Sequence, residues 1–212
     1  MSKDKVDIVF MEVSSHALDQ NRVAGLDFRV GVFSNLTQDH LDYHADMQEY
    51  FASKERLFSE SGTDFIPVIN VDDQYGQILF KKYNHGLGFV LNEQGFRQDN
   101  ILRGQILLAG SQGLSLQQEF RGKTWKIEST LVGGHNASNL LAAQATGLSL
   151  GLNIEEMQEL EDFTYIPGRL ERVNNKQGLN IFVDYAHTPD ALENVLQSLA
   201  ELEFDRILVV YG

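Results

Sequence analysis

The chain has 212 residues, 42% hydrophobic and 22% charged, which is ordinary globular usage and room for one large domain or one and a half smaller ones. Its 17 basic and 30 acidic residues give a formal charge of −13, so it is not a protein held mainly by nucleic-acid phosphates, which demand clustered Lys and Arg. Cysteine is absent, which excludes disulfides and thiolate zinc sites. No apolar run approaches the roughly 20 residues of a membrane span, and Met1–Lys5 does not open a secretory signal. A cytoplasmic protein with no membrane partner is expected; its oligomeric state is not legible.

The run Val6–Met11 is β-branched and apolar and predicts a buried strand ending at Glu12. Ser14 or Ser15 is placed to cap a short helix reaching Gln20. Val30–Ser34 predicts a second strand, followed by the polar segment Leu36–His44 and a helix over Met47–Phe58. Phe65–Asn70 predicts a third strand and Asp73–Tyr83 a third helix. This alternation points to an α/β fold with a mostly parallel sheet and flanking helices.

The rhythm changes over 87–132, where short alternating runs broken by Gly and charge predict an antiparallel section. Gly134–Leu152 reads as a helix, 154–162 as a second, acidic one, and Pro167-Gly168 as a domain break. The remainder predicts strand Ile181–Val183, helix Ala191–Leu202 and strand Ile207–Tyr211, a unit too small to build its own core. The expected organisation is a domain over 1–166 and the beginning of a second, Rossmann-like one over 167–212.

A nucleotide ligand would call for a phosphate-binding loop. Gly122-Lys123-Thr124 ends like a P-loop, but Gln117 stands where the first Gly is required, so a hairpin turn is expected. Acidic and imidazole groups cluster instead. Glu12, ending the first strand, and His40, following the second, would meet at the carboxyl edge of a parallel sheet, where ligands bind. They suit a hard cation such as Mg²⁺. His40 and His44, four residues apart, lack the H-E-x-x-H context of a zinc site. Arg169, just past the break, is a candidate phosphate clamp. Asp184–Asp190 follows a strand and opens a helix at the same kind of edge.

Several stretches together resemble the Mur ligases, in particular their tripeptide-synthesising branch. They are Glu12-Val13-Ser14-Ser15-His16 with Gln20-x-Arg22-Val23, Asn35-Leu36-Thr37-x-Asp39-His40-Leu41-Asp42-Tyr43-His44, Gly134-x-Asn136-x-Ser138-Asn139, Pro167-Gly168-Arg169-x-Glu171 and Val183–Asp190. The resemblance runs over essentially the whole chain. It implies an ATP-dependent ligase that adds a diamino acid, meso-diaminopimelate or lysine, to UDP-MurNAc-L-Ala-D-Glu through an acyl phosphate. By the same resemblance, Ser14, Gln20 and Arg22 contact the UDP-MurNAc-dipeptide, and Asn136, Arg169 and Asp184 contact ATP. Glu12, His40 and a carbamylated Lys54 hold Mg²⁺.

A carbamate converts the ammonium of Lys54 into an anionic oxygen ligand. His135 stands where close relatives often carry Phe. The family's uridine-binding domain, its P-loop and its amino-acid pocket have no counterpart in these residues, so the chain taken alone is expected to be inactive. The rival readings are a cyanophycin or folylpolyglutamate synthetase-like ligase, and a non-catalytic binding module.

Overall fold

The computed structural model describes residues 6–38, 42–91, 98–202 and 204–211. Among them a six-stranded sheet follows chain order. β1 (Val30–Phe33), β2 (Ile66–Asn70), β3 (Leu87–Val90) and β4 (Ile101–Gly110) pair in parallel. β5 (Gly113–Phe120) and β6 (Lys123–Ser129) extend the sheet antiparallel. The helices are α1 (Ser15–Asp19), α2 (Met47–Ser59), α3 (Gln74–Lys82), α4 (Gly134–Ser149), α5 (Ile154–Met157), which runs into a 3₁₀ turn over Gln158–Asp162, and α6 (Pro189–Ala200). A two-stranded antiparallel ribbon, β7 (Glu171–Arg172) and β8 (Phe182–Val183), accompanies α6.

The strands are apolar on successive residues because both faces are covered, and their period of two divides the core. Val68 of β2 joins Leu87, Phe89, Leu102 and Leu116 in one layer with Ala137, Leu141 and Ala145 of α4. Its neighbour Ile69 joins Phe33, Val90 and Ile101 in the other layer, with Tyr50 and Phe58 of α2 and Leu79 and Phe80 of α3. Full burial of such a side chain contributes roughly 1.5–3 kcal/mol, so these layers dominate the stability. The helices start where short polar side chains can take the free amides: Ser14 caps α1, Asp46 caps α2, Asp73 caps α3 and Thr188 caps α6.

Two expected strands are not formed. Val6–Met11 forms no strand and is exposed, Phe10 to 86%, so Glu12 does not end a strand. Ile207–Tyr211 is likewise irregular, with Val210 96% exposed. Both runs have strand composition, but a strand exists only through a neighbour's hydrogen bonds, and neither has one among the described residues. The Gly122 turn is the expected hairpin: Arg121 and Gly122 both adopt positive φ (49° and 75°), the left-handed pair that matches the twist of β5 and β6.

Candidate functional site

The carboxyl ends of β1, β2 and β3 share one edge, held together by side chains the sequence reading passed over. Asn70, ending β2, donates to Ser34 O (2.7 Å) and accepts from Asp72 N (2.9 Å). Asp72 accepts from Leu91 N (2.6 Å), beyond β3. Asp73 accepts from Tyr75 N, Gly76 N and, with its second oxygen, from Leu36 N (3.1 Å). The segment leading to His40 is thus anchored to α3 and β2. His40 itself, with Asp39, lies outside the described residues.

α1 and α2 pack side by side and carry the groups expected at the peptide substrate. Ser14 is exposed, and its Oγ accepts from Ala17 N (3.2 Å). At the other end of α1, Gln20 donates to Tyr43 Oη (3.3 Å), which donates to Asp19 (2.6 Å). Arg22 follows, exposed. Arg56 of α2 grips this end: its guanidinium donates to Asn21 Oδ1 (2.6 Å), Asp19 O (3.3 Å) and Glu60 (2.6 Å). The hydrogen bond to Glu60 raises the Arg56 pKa above its usual value. Asn21 can turn the chain here because it holds φ at 55°, a conformation Asn tolerates better than most residues.

Lys54, two residues before Arg56, is half-buried, with Nζ 5.2 Å from the centroid of the Tyr50 ring. Glu12 is exposed on the unpaired stretch before α1. No group of three His, Asp or Glu side chains able to cage an ion converges among the described residues. Of the metal-ligating set expected at Glu12, His40 and Lys54, His40 lies outside the described residues.

The residues expected at the nucleotide gather elsewhere. Asn136, in the first turn of α4, is buried and donates to Val132 O (2.8 Å). Its neighbour His135 reaches Ser198 of α6 (3.4 Å). Partial burial lowers the His135 pKa, against the opposing pull of Asp184 and Glu201. Asp184 therefore stands near the start of α4. Its carboxylate accepts from Leu170 N (2.8 Å) and Ala186 N (2.7 Å), which ties the Gly168–Leu170 turn to the start of α6. Arg169 is exposed on that turn, between Gly168 at φ 66° and Leu170 at φ 44°. His135 thus links the first turn of α4, which carries Asn136, to α6, and Asp184 links the turn that carries Arg169 to the start of α6, while Ser14, Gln20 and Arg22 flank α1, which packs on the helix that carries Lys54.

The sequence matches the model of the Mur ligase middle domain over residues 1–147 and that of the Mur ligase glutamate ligase domain over residues 168–212. The chain belongs to the Mur ligase family. It is 53% identical, over its whole length, to a UDP-N-acetylmuramoyl-L-alanyl-D-glutamate–2,6-diaminopimelate ligase of Lawsonia intracellularis and covers 44% of that protein. A ligase of the same name from Geobacter metallireducens is 46% identical over 96% of the chain, which covers 40% of it. The chain thus spans less than half the length of the curated relatives it matches. A solved structure of a ligase of that name superposes with a TM-score of 0.70 at 30% identity, covering 89% of this chain and 39% of that one. The α/β fold with a mostly parallel sheet is thereby that of a Mur ligase.

Proposed function

We propose that this Mur ligase segment serves an ATP-dependent amide-bond ligase of peptidoglycan precursor synthesis. The enzyme transfers the γ-phosphoryl group of ATP to the terminal carboxylate of UDP-MurNAc-L-Ala-D-Glu, releasing ADP. The amine of a diamino acid then attacks the acyl phosphate; phosphate leaves, the amine loses a proton and an amide remains. Identity across the whole chain to relatives named as 2,6-diaminopimelate ligases carries this reading and favours diaminopimelate over lysine. The same identity favours it over the cyanophycin, folylpolyglutamate and non-catalytic alternatives. Residues 1–166 correspond in this reading to the central domain and 167–212 to the beginning of the C-terminal one, in a cytoplasmic enzyme.

Each side chain then has a task that its surroundings support. Ser14, Gln20 and Arg22 bind the UDP-MurNAc-dipeptide from the two ends of α1. Asn136, Arg169 and Asp184 hold ATP at the α4–α6 junction, where Arg169 is exposed. The donor set of Glu12, His40 and a carbamylated Lys54 is oxygen-rich and fits a hard cation. Mg²⁺ bound there supplies positive charge that offsets the crowded phosphate oxygens.

The test uses the full-length gene product. ADP release should require the UDP-MurNAc-dipeptide, and amide formation should require diaminopimelate as well; ATPase activity indifferent to both would refute the reading. Lys54→Ala should lose most of the rate, roughly 10²-fold or more if an electrostatic ligand is lost, with partial rescue by added short-chain carboxylates. Lys54→Arg, which keeps the cation but cannot take up CO₂, should be equally slow. Near-normal turnover of Lys54→Arg would show that a plain cation is enough.

A further inference from the structure

α1 is only five residues long, yet Ser14, Gln20 and Arg22 all depend on where it lies. A helix this short does not hold itself in water. Its position must come from tertiary contacts, and one of them is polar and buried. Ser15 is fully buried, and its Oγ lies 2.9 Å from Nε2 of His44, which is buried too. The His44 ring stacks on Tyr50 of α2, with centroids 5.1 Å apart and planes 15° from parallel, and Tyr43 meets it edge-on at 4.9 Å. Tyr50 is in turn the ring beneath Lys54. The order in space is Ser15 of α1, His44 of the segment following β1, Tyr50 of α2 and then Lys54.

We infer that His44 is a positioning residue of the ligase reaction: it fixes α1 against α2, so that the side chains assigned to the peptide substrate keep their distance from Lys54. This rests on the function proposed above. The sequence marked His44 only as a fourth-residue neighbour of His40. Its burial between Ser15 and Tyr50 assigns it a different task from metal binding. Phenylalanine would fill the same space and keep the stack. The hydrogen bond is what makes the placement directional, and losing it would leave the Ser15 hydroxyl buried without its partner.

The full-length gene product is assayed with UDP-MurNAc-dipeptide, ATP and diaminopimelate, below the melting temperature of each variant. His44→Phe and Ser15→Ala should each raise KM for the UDP-MurNAc-dipeptide by about five- to tenfold, the loss of one buried hydrogen bond. KM for ATP should stay within about twofold, because Asn136, Arg169 and Asp184 lie at the α4–α6 junction and bind independently of this bond. The double variant should be no worse than His44→Phe, since both changes remove the same bond. His44→Gln, which can still meet Ser15, should recover part of the KM.

Ser15→Ala, the smaller change, carries the test if His44→Phe does not fold. A lowered melting temperature with an unmoved KM for the UDP-MurNAc-dipeptide overturns the inference and leaves the function standing. So does an additive double variant. Wild-type enzyme that does not use this substrate overturns the functional reading and the inference with it.

Discussion

Replacing Gly76 by alanine sets two effects of opposite sign against each other. Gly76 lies in the first turn of α3, over the end of β2, with no positive φ to explain its identity. An alanine in a helix is worth about 1 kcal/mol over glycine. Against this, a Cβ here would stand 1.8 Å from Asn70 O and 3.0 Å from the carbonyl carbon, where ordinary contact begins at 3.4 Å. Neither side can yield cheaply. Asn70 follows the fully buried Val68 and Ile69 and is held by Ser34 and Asp72. α3 is pinned by buried Leu79 and Phe80 and by the Asp73 cap, which also holds Leu36 N.

Overpacking a core costs about 1–3 kcal/mol, and a clash with backbone belongs at or above the upper end. The net is a loss of about 2 kcal/mol, or a fall in melting temperature of roughly 4–8 °C for a chain of this size. Thermal and urea unfolding followed by far-ultraviolet circular dichroism measure it. Gly134→Ala is the control: it also lies in a first helical turn, but a Cβ there meets nothing within 4 Å, so it should be neutral or stabilising. A Gly76→Ala chain that melts at or above wild type would refute the steric argument.

Gln118 is wholly buried, and neither Oε1 nor Nε2 has a hydrogen-bond partner among the described residues, although Trp125 opposite it donates to Gln144 (3.0 Å). Gln118→Met keeps the volume and removes the buried amide, so unfolding should cost about 1–2 kcal/mol more; an unchanged or lower melting temperature would show that the amide is paired. His135 has a folded-state pKa below its ordinary 6.5 because partial burial disfavours the imidazolium. The unfolded chain therefore takes up the proton first, so this group leaves stability intact above about pH 6.5 and subtracts from it as pH falls below that. His135→Phe should lose that slope, shallow because the ring keeps solvent contact, and its melting temperature should gain on wild type between pH 7.5 and 5.5 on the order of a degree; a difference independent of pH would refute the assignment.

Elements whose signals are local were legible. The apolar spacing over 47–58 announces α2, and the apolar run 65–70 announces β2, because such period acts within a few residues. Val6–Met11 and Ile207–Tyr211 carry the same strand composition and form no strand, because pairing is a property of the neighbour. Asn70 and Asp72 could be read as turn formers, but not as the bridges to Ser34 and Leu91 on flanking strands. Likewise the motif ending in Tyr43-His44 displayed titratable groups without showing which would be buried. That was decided by Tyr50, which packs on His44 only once α2 has formed.

Within the motifs, adjacent residues alternate between exposed and buried. Ser14 is exposed and Ser15 buried; Tyr43 is exposed and His44 buried; Arg169 is exposed and Leu170 buried. In each pair one side chain faces outward while its neighbour is packed inside. Substitutions at the outward member should change affinity with little effect on folding, whereas those at the inward member should change both. Asn136 tests the rule. Its exposed neighbour is His135, and its own side chain is committed to Val132 O and to Asn139 (3.3 Å). In that pair Asn136 is the inward member, bonded within the first turn of α4, and His135 is the member that faces outward.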